Sequence, residues 1–96
     1  MAYALSKNAE DDIIEIYING ASRFGIEQAN HYHEHIEKMF ELLAEHPYMA
    51  RERFEISPPV RIHPFQSHLI VYTVDEQGHL FIIRIRHAHE DWHGSK

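Results

Sequence analysis

Arginines and histidines alternate with apolar residues in two segments of the last third of the chain. Arg61 and His63 follow branched apolar residues, and Arg84 and Arg86 do the same farther along. Because successive side chains of a β-strand point to opposite faces, these segments are typical of strands. We predict that they carry their cations on one face of a small sheet, with an apolar face behind.

The last of these strands also has apolar residues in phase with its arginines. Strict alternation predicts that Leu80 and Ile82 share the face of Arg84 and Arg86. Exposed apolar side chains interleaved with arginines fit the surface of a protein partner, because arginine forms forked hydrogen bonds with carboxylates. The pattern therefore favours a protein-binding face.

The same residue types raise the possibility of RNA cleavage. A metal-free nuclease needs a base for the 2′-hydroxyl, a cation on the phosphate and an acid for the leaving oxygen. Arg61, Arg84, His87 and His89 have the right chemistry, and Trp92 could stack on a base. However, the formal net charge is −6, and a nucleic-acid binder is usually basic. We therefore predict no catalytic residues and keep this nuclease set as the alternative.

Ten histidines also raise the question of a metal. His87, His89 and His93 are dense enough for zinc, and His31 and His35 lie one helical turn apart. No histidine pair comes with a carboxylate in a recognised zinc signature. We predict no metal site and no cofactor, with solvated histidines that change surface charge near pH 6 to 7.

Length and composition indicate one cytoplasmic domain over residues 1–96. The chain has no cysteine, which excludes disulfides and thiolate chemistry. Its start is too polar for a signal peptide, and no apolar run approaches the ~20 residues of a membrane span. We therefore expect a single core without a membrane segment.

The first half of the chain predicts a helical hairpin. Ser6 is a suitable N-cap, Gly25 ends the first helix, and a second helix runs from about Glu27 to His46. A surface loop follows, and then come three strands. An edge strand at Tyr3 to Leu5 completes the order β-α-α-β-β-β. We predict an α+β fold in which the two helices pack on a small twisted antiparallel sheet.

The order and spacing of these residues resemble a known toxin family. The matching segments are Leu5-Ser6-x-x-Ala9-x-x-Asp12-Ile13-x-x-Ile16-Tyr17, Gly25-x-x-x-Ala29-x-x-Tyr32, Arg61-x-x-Pro64-Phe65-x-Ser67-His68-Leu69-Ile70-Val71-Tyr72 and Ile83-Arg84-Ile85-x-His87-Ala88-x-x-Asp91. Together they resemble the ParE branch of the RelE/ParE toxins of bacterial toxin–antitoxin operons. The resemblance implies a toxin neutralised by a cognate ParD-like ribbon-helix-helix antitoxin. It also implies DNA gyrase as the target, whereas the RelE branch cleaves ribosome-bound mRNA.

The resemblance and the residue pattern together predict two binding surfaces. The predicted antitoxin-binding residues are Ile13, Tyr17, Arg61, His63, Leu80, Ile82, Arg84 and Arg86. The predicted target-binding residues are Arg84, Arg86, His87, His89 and Trp92. The main hypothesis is a non-enzymatic gyrase inhibitor that meets operator DNA only through its antitoxin. The alternatives are a ribosome-dependent endoribonuclease and an inactive toxin that serves only as a corepressor.

Overall fold

The computed structural model describes residues 3–88, so His89, Trp92 and His93 lie outside the described residues. The helices are α1 (Lys7–Phe24) and α2 (Ile26–Glu45). The strands are β1 (Tyr3–Leu5), β2 (Glu52–Arg53), β3 (Val60–Phe65), β4 (His68–Val74) and β5 (Leu80–His87). The predicted α+β class and helical hairpin are confirmed. In the described part of the chain, neither helix is long and apolar enough to cross a membrane.

Local signals set the ends of the hairpin. The Ser6 hydroxyl accepts a hydrogen bond from the Ala9 amide at 2.9 Å, as expected of an N-cap. Gly25 alone joins the two helices, with a φ of +98° that favours glycine over any residue bearing a Cβ. Its amide donates to Ala21 in α1 and its carbonyl accepts from Ala29 in α2. Gly25 therefore caps the end of α1 and the start of α2.

The sheet has five strands in the order β1-β5-β4-β3-β2. Strands β2 to β5 pair antiparallel, whereas β1 runs parallel to β5 with Tyr3 opposite Leu80. The sheet is therefore mixed: the predicted antiparallel pairing is found among β2 to β5, whereas the parallel β1 departs from it. β1 reaches β5 from a distant part of the sequence rather than through a hairpin turn, so no turn imposes an antiparallel pairing. The two-residue β2 lies within the segment predicted to be a surface loop.

The hydrophobic core lies between the helical hairpin and one face of the sheet. Its buried members come from both layers: Ala9, Ile36, Phe40, Leu43, Phe65, Ile70, Tyr72, Leu80, Ile82 and Ile85. The Tyr72 phenol group is buried but not isolated, because it donates to the Pro47 carbonyl at 3.2 Å. A polar tip with a partner makes this large side chain acceptable in the core.

A β-bulge changes the phase of β5. Tyr72 pairs with Ile82, but its neighbour Val71 pairs with Arg84, so Ile83 is an extra residue in β5. Leu80 and Ile82 are 1% and 0% exposed and belong to the core. The prediction that they lie exposed beside Arg84 and Arg86 is therefore wrong.

The bulge also divides the predicted cationic face. Residues paired across strands share a face, so Arg61, opposite Tyr72, lies on the helix side of the sheet. Arg84, opposite Val71, lies on the other side. Without the extra residue, Arg84 would pair with Ile70 and would share the side of Arg61. The prediction of one cationic face is wrong because it assumed strict alternation of side chains, which a bulge interrupts.

Gly20 gives a direct test of how α1 packs against α2. A Cβ built on Gly20 would lie 3.7 Å from the Ala29 Cβ, which is ordinary van der Waals contact. Glycine inside a helix costs about 0.5–1 kcal/mol relative to alanine. We expect Gly20→Ala to raise the free energy of unfolding by about that amount in urea denaturation. A loss of stability would mean that the helices need a closer approach than this structure shows.

Candidate functional site

A cleft of about 640 Å³ opens between α1, α2 and one end of the sheet. Its lining is Ile13, Ile16, Tyr17, Asn19, Gly20, Arg23, Phe24, Gln28, Ala29, Tyr32, His33, Ile36, Gln66, Ser67, His68 and His87. The helices supply the apolar part of this lining, and the β3–β4 turn and the end of β5 supply a polar part. A concave apolar surface with polar groups at its border is the usual form of a binding site.

Tyr17 of α1 contacts two side chains of α2. The Tyr17 hydroxyl donates to Asn30 Oδ1 at 2.6 Å, and its ring meets the His33 ring edge-on at a centroid distance of 6.1 Å. His33 Nε2 lies 3.3 Å from a carboxylate oxygen of Glu37. These contacts fix the Tyr17 ring as one wall of the cleft. Phe24 stands at the rim with 69% of its surface exposed, unusually open for a large apolar side chain.

The sheet end of the cleft is built around Tyr32. Its hydroxyl lies 2.6 Å from Nδ1 of His68, and its ring packs edge-on against Phe65 at 5.4 Å. Burial raises the pKa of Tyr32 to about 12, so the phenol keeps its proton at neutral pH. It can therefore donate to His68 but cannot serve as a base. The His87 ring lies 5.4 Å from that of His68 and completes this end of the cleft.

Arg84 is held by the first helix. Its guanidinium donates to both carboxylate oxygens of Asp12, at 2.8 and 3.1 Å. The same carboxylate accepts the Ile85 amide at 2.9 Å, while the Ser6 hydroxyl donates to the Ile83 carbonyl at 2.8 Å. The Asp12 side chain is only 13% exposed. Arg84 therefore joins α1 to the bulged part of β5.

Arg61 is held near the start of β3, away from the end of the sheet that carries His87. Its guanidinium donates to the Ala50 carbonyl at 2.6 Å, lies 5.0 Å from the Tyr48 ring centroid and is 3.8 Å from Glu52. The side chain is 17% exposed. These contacts fasten the loop after α2 to β3. The neighbouring His63 is half-buried, and burial lowers its pKa, so its ring is neutral at pH 7.

Comparison with known proteins decides the family. The model of the family described as "ParE toxin of type II toxin-antitoxin system, parDE" matches residues 3–92. The chain belongs to this ParE family. It is 32% identical to Toxin ParE1 of Caulobacter vibrioides over 85 residues, which cover 88% of this chain and 86% of that protein. It is 29% identical to Toxin ParE1 of Mycobacterium tuberculosis over 89 residues, which cover 93% and 91%.

The ParE fold is also found among solved structures. A chain described as "Chromosomal ParDE TA system from P. aeruginosa" superposes with a TM-score of 0.77 at 20% sequence identity. The superposition covers 91% of this chain and 95% of that chain. At this identity, the likeness shows a shared fold.

In this ParE-family chain, few of the predicted site residues lie together. Ile13, Tyr17 and His87 line the cleft. Within the nuclease set, Arg61 and His87 belong to opposite ends of the sheet, about four residues or roughly 13 Å apart along the strands. Arg84 lies on the other face, and His89 lies outside the described residues. The described members of that set are therefore not gathered around one point.

The cleft includes residues that the sequence did not single out as functional. Tyr32 lies on the apolar stripe of α2, and that spacing is typical of a core residue. His68 lies just before the apolar run from Leu69 to Val74, and its position gives no functional signal by itself. Phe24, next to Gly25, had a signal that could have been used, because a large apolar residue at a helix end is poorly placed for burial.

Proposed function

We propose that this ParE-family chain is a toxin that inhibits DNA gyrase by binding and is neutralised by a ParD-like ribbon-helix-helix antitoxin. The apolar cleft between the two helices carries the proposal. An amphipathic segment of the antitoxin occupies the cleft and covers Ile13, Tyr17 and Phe24. Operator DNA meets the toxin only through the antitoxin.

The charge at the border of the cleft gives the chemistry of the segment that fits. Arg23 is cationic, and the polar part of this border also contains His33, His68 and His87. An apolar stripe flanked by carboxylates complements this lining. Leu80 and Ile82 are buried and are left out of the proposed contact. Arg86 remains a candidate contact on the face away from the helices. Arg61 and Arg84 are held by contacts within the fold and, with His63, are left out of the proposed contact.

Binding without chemistry agrees with the geometry of the described residues. Arg61, Arg84 and His87 are spread over both faces and both ends of the sheet. The Tyr32 hydroxyl lies 2.6 Å from His68 Nδ1, and its raised pKa keeps it protonated at neutral pH, so it cannot serve as a base. The function that this arrangement supports best is occupancy of a target surface.

A gyrase assay tests the proposal. We expect purified toxin to block supercoiling of relaxed plasmid by gyrase, or to make cleaved DNA accumulate, while mRNA on translating ribosomes stays intact. Addition of the antitoxin should restore supercoiling. Cuts in ribosome-bound mRNA that disappear in His87→Ala would establish the endoribonuclease instead. Neither activity, with operator repression by the complex intact, would identify an inactive toxin that acts as a corepressor.

Residues beyond the described part of the chain are proposed to contact the target. Trp92 and His89 follow β5, and a large aromatic residue near arginines is a common interface anchor. We expect truncation after Ala88 to abolish growth inhibition while circular dichroism and antitoxin binding stay largely unchanged. Trp92→Ala should reproduce most of the effect. A truncated chain that remains fully toxic would remove the tail from the target-binding surface.

A further inference from the structure

Two histidines on α2 lie side by side in solvent. His31 and His35 are four residues apart, so they occupy the same helix face one turn from each other. Their ring centroids are 6.4 Å apart, and the ring planes are inclined by only 28°. Both residues are exposed, so their side chains can rotate without disturbing packed neighbours.

This pair is separate from the cleft. The buried residues of α2, Ala29, Ile36 and Phe40, point to the core. At 100° per residue, His31 and His35 project from the opposite side of the helix. Neither histidine lines the cleft, so a ligand on this pair can bind while the cleft is occupied.

In contrast to the prediction from the sequence, which was of no metal site, we propose that His31 and His35 form a bidentate surface site for a divalent transition-metal ion of the Cu²⁺, Ni²⁺ and Zn²⁺ class. Imidazole nitrogens suit these ions, and a metal–nitrogen bond of about 2.0–2.1 Å lets one ion bridge two neighbouring rings after modest side-chain rotation. In the part of the chain that the structure describes, no group of three or more His, Cys, Asp or Glu residues could hold a metal ion. The site therefore has two protein ligands, and water fills the remaining positions.

Charges around the pair favour a cation on balance. Glu27 lies one turn before His31, and Glu34 lies between the two histidines in sequence, both exposed. Lys38 follows His35 by three residues and opposes them. Two carboxylates against one ammonium leave a negative surface potential, which raises the local concentration of divalent cations.

The two ligands are brought together by the helix itself. In the unfolded chain, three residues of flexible backbone separate them, so the ion binds the folded state more tightly. Binding to the folded state alone raises thermal stability by mass action. The site thus links metal supply to the stability of α2, with copper as the tightest ligand in the usual order of affinities.

Titration with CuCl₂ at pH 7.5 tests the site on the full chain. Calorimetry should show that His31→Gln and His35→Gln each weaken one copper-binding event at least tenfold relative to the parent protein. The control is His33→Gln, which changes a histidine on the same helix that faces Tyr17 and Glu37. It should keep the parent stoichiometry and affinity. Comparison between variants cancels any copper bound by the C-terminal histidines.

Thermal unfolding gives a second readout. Copper should raise the midpoint of the parent protein and of His33→Gln more than that of His31→Gln, after confirmation by circular dichroism that all three variants fold. Equal affinity, stoichiometry and copper-induced shift in the His31, His35 and His33 variants would overturn the proposal. Equal losses in all three would also overturn it, because the effect would then belong to total histidine content.

Discussion

Asp12→Ala is expected to lower the free energy of unfolding by about 2 to 4 kcal/mol. The Asp12 carboxylate receives two hydrogen bonds from Arg84 and one from the Ile85 amide, and its side chain is largely shielded from water. Removal of the Asp12 side chain leaves the Ile85 amide without this acceptor and leaves the Arg84 guanidinium without its carboxylate partner. The figure stays below that of a fully buried pair because the Arg84 side chain is 39% exposed. Urea denaturation followed by circular dichroism measures the change.

The neighbouring Asp11 provides the matched control. It is 56% exposed on its side chain and pairs at 3.0 Å with Lys7, which is 80% exposed. Exposed pairs of this kind contribute little, so Asp11→Ala should change the free energy of unfolding by no more than about 0.5 kcal/mol. Similar losses in the two variants would show that general helix-terminus electrostatics, and not the Arg84 contact, stabilises this end of α1.

Phe24→Ala is expected to weaken antitoxin binding by about 2 to 3 kcal/mol, roughly 30- to 150-fold in Kd. Because the Phe24 ring at the rim of the cleft is exposed, its truncation should change the stability of the free toxin very little. In the proposed complex, however, it would be desolvated by the apolar face of the antitoxin segment, as interface anchors usually are. Calorimetric titration of the toxin with its antitoxin measures the change.

Phe54 offers the same substitution at a similar exposure elsewhere. It is 71% exposed, follows β2 and does not line the cleft. Phe54→Ala should leave the antitoxin Kd within about twofold of the parent value, since surface substitutions away from specific contacts have small effects. A loss of affinity confined to the Phe54 variant would move the antitoxin to the other end of the molecule.

The helices and the central strands could be predicted because their signals are local. A serine hydroxyl at Ser6 and a positive φ at Gly25 act within a few residues of their own positions. The apolar run of β4 likewise specifies a strand, and its middle residues are buried. These features depend on neighbours in the sequence, which is what pattern analysis reads.

The bulge in β5 could not be predicted because its cause is not local. Nothing in the sequence from Leu80 to Ile85 marks Ile83 as the extra residue. Contacts from α1 and its N-cap act on this segment. The Ser6 hydroxyl donates to the Ile83 carbonyl, and the Asp12 carboxylate accepts from the Ile85 amide. Both partners are more than 70 residues away, so the phase of the strand is settled by tertiary structure.

The cleft was also beyond sequence analysis as a whole. Tyr32 and His68 are 36 residues apart and meet only after the helical hairpin packs on the sheet. Ile13 and Tyr17 were predicted to bind the antitoxin beside the first helix, but that prediction did not include Tyr32 and His68 in the same surface. A concave site built from three elements can be predicted only if their relative placement is known. The spacing of residues within one element does not reveal that placement.

The attachment of α1 to β5 also affects which other chains this sheet can recruit. β1 covers β5 from Leu80 to Ile82, and farther along Ser6 and Asp12 take the carbonyl of Ile83 and the amide of Ile85. These are backbone groups that an incoming strand would need for its own hydrogen bonds. These two side chains thus replace a neighbouring strand from Ile83 to Ile85, and this stretch of the border is closed to edge-to-edge aggregation. We infer that loss of Asp12 would expose a self-associating edge as well as loosen the fold, so its variant should become prone to oligomerise at concentrations where the Asp11 variant stays dispersed.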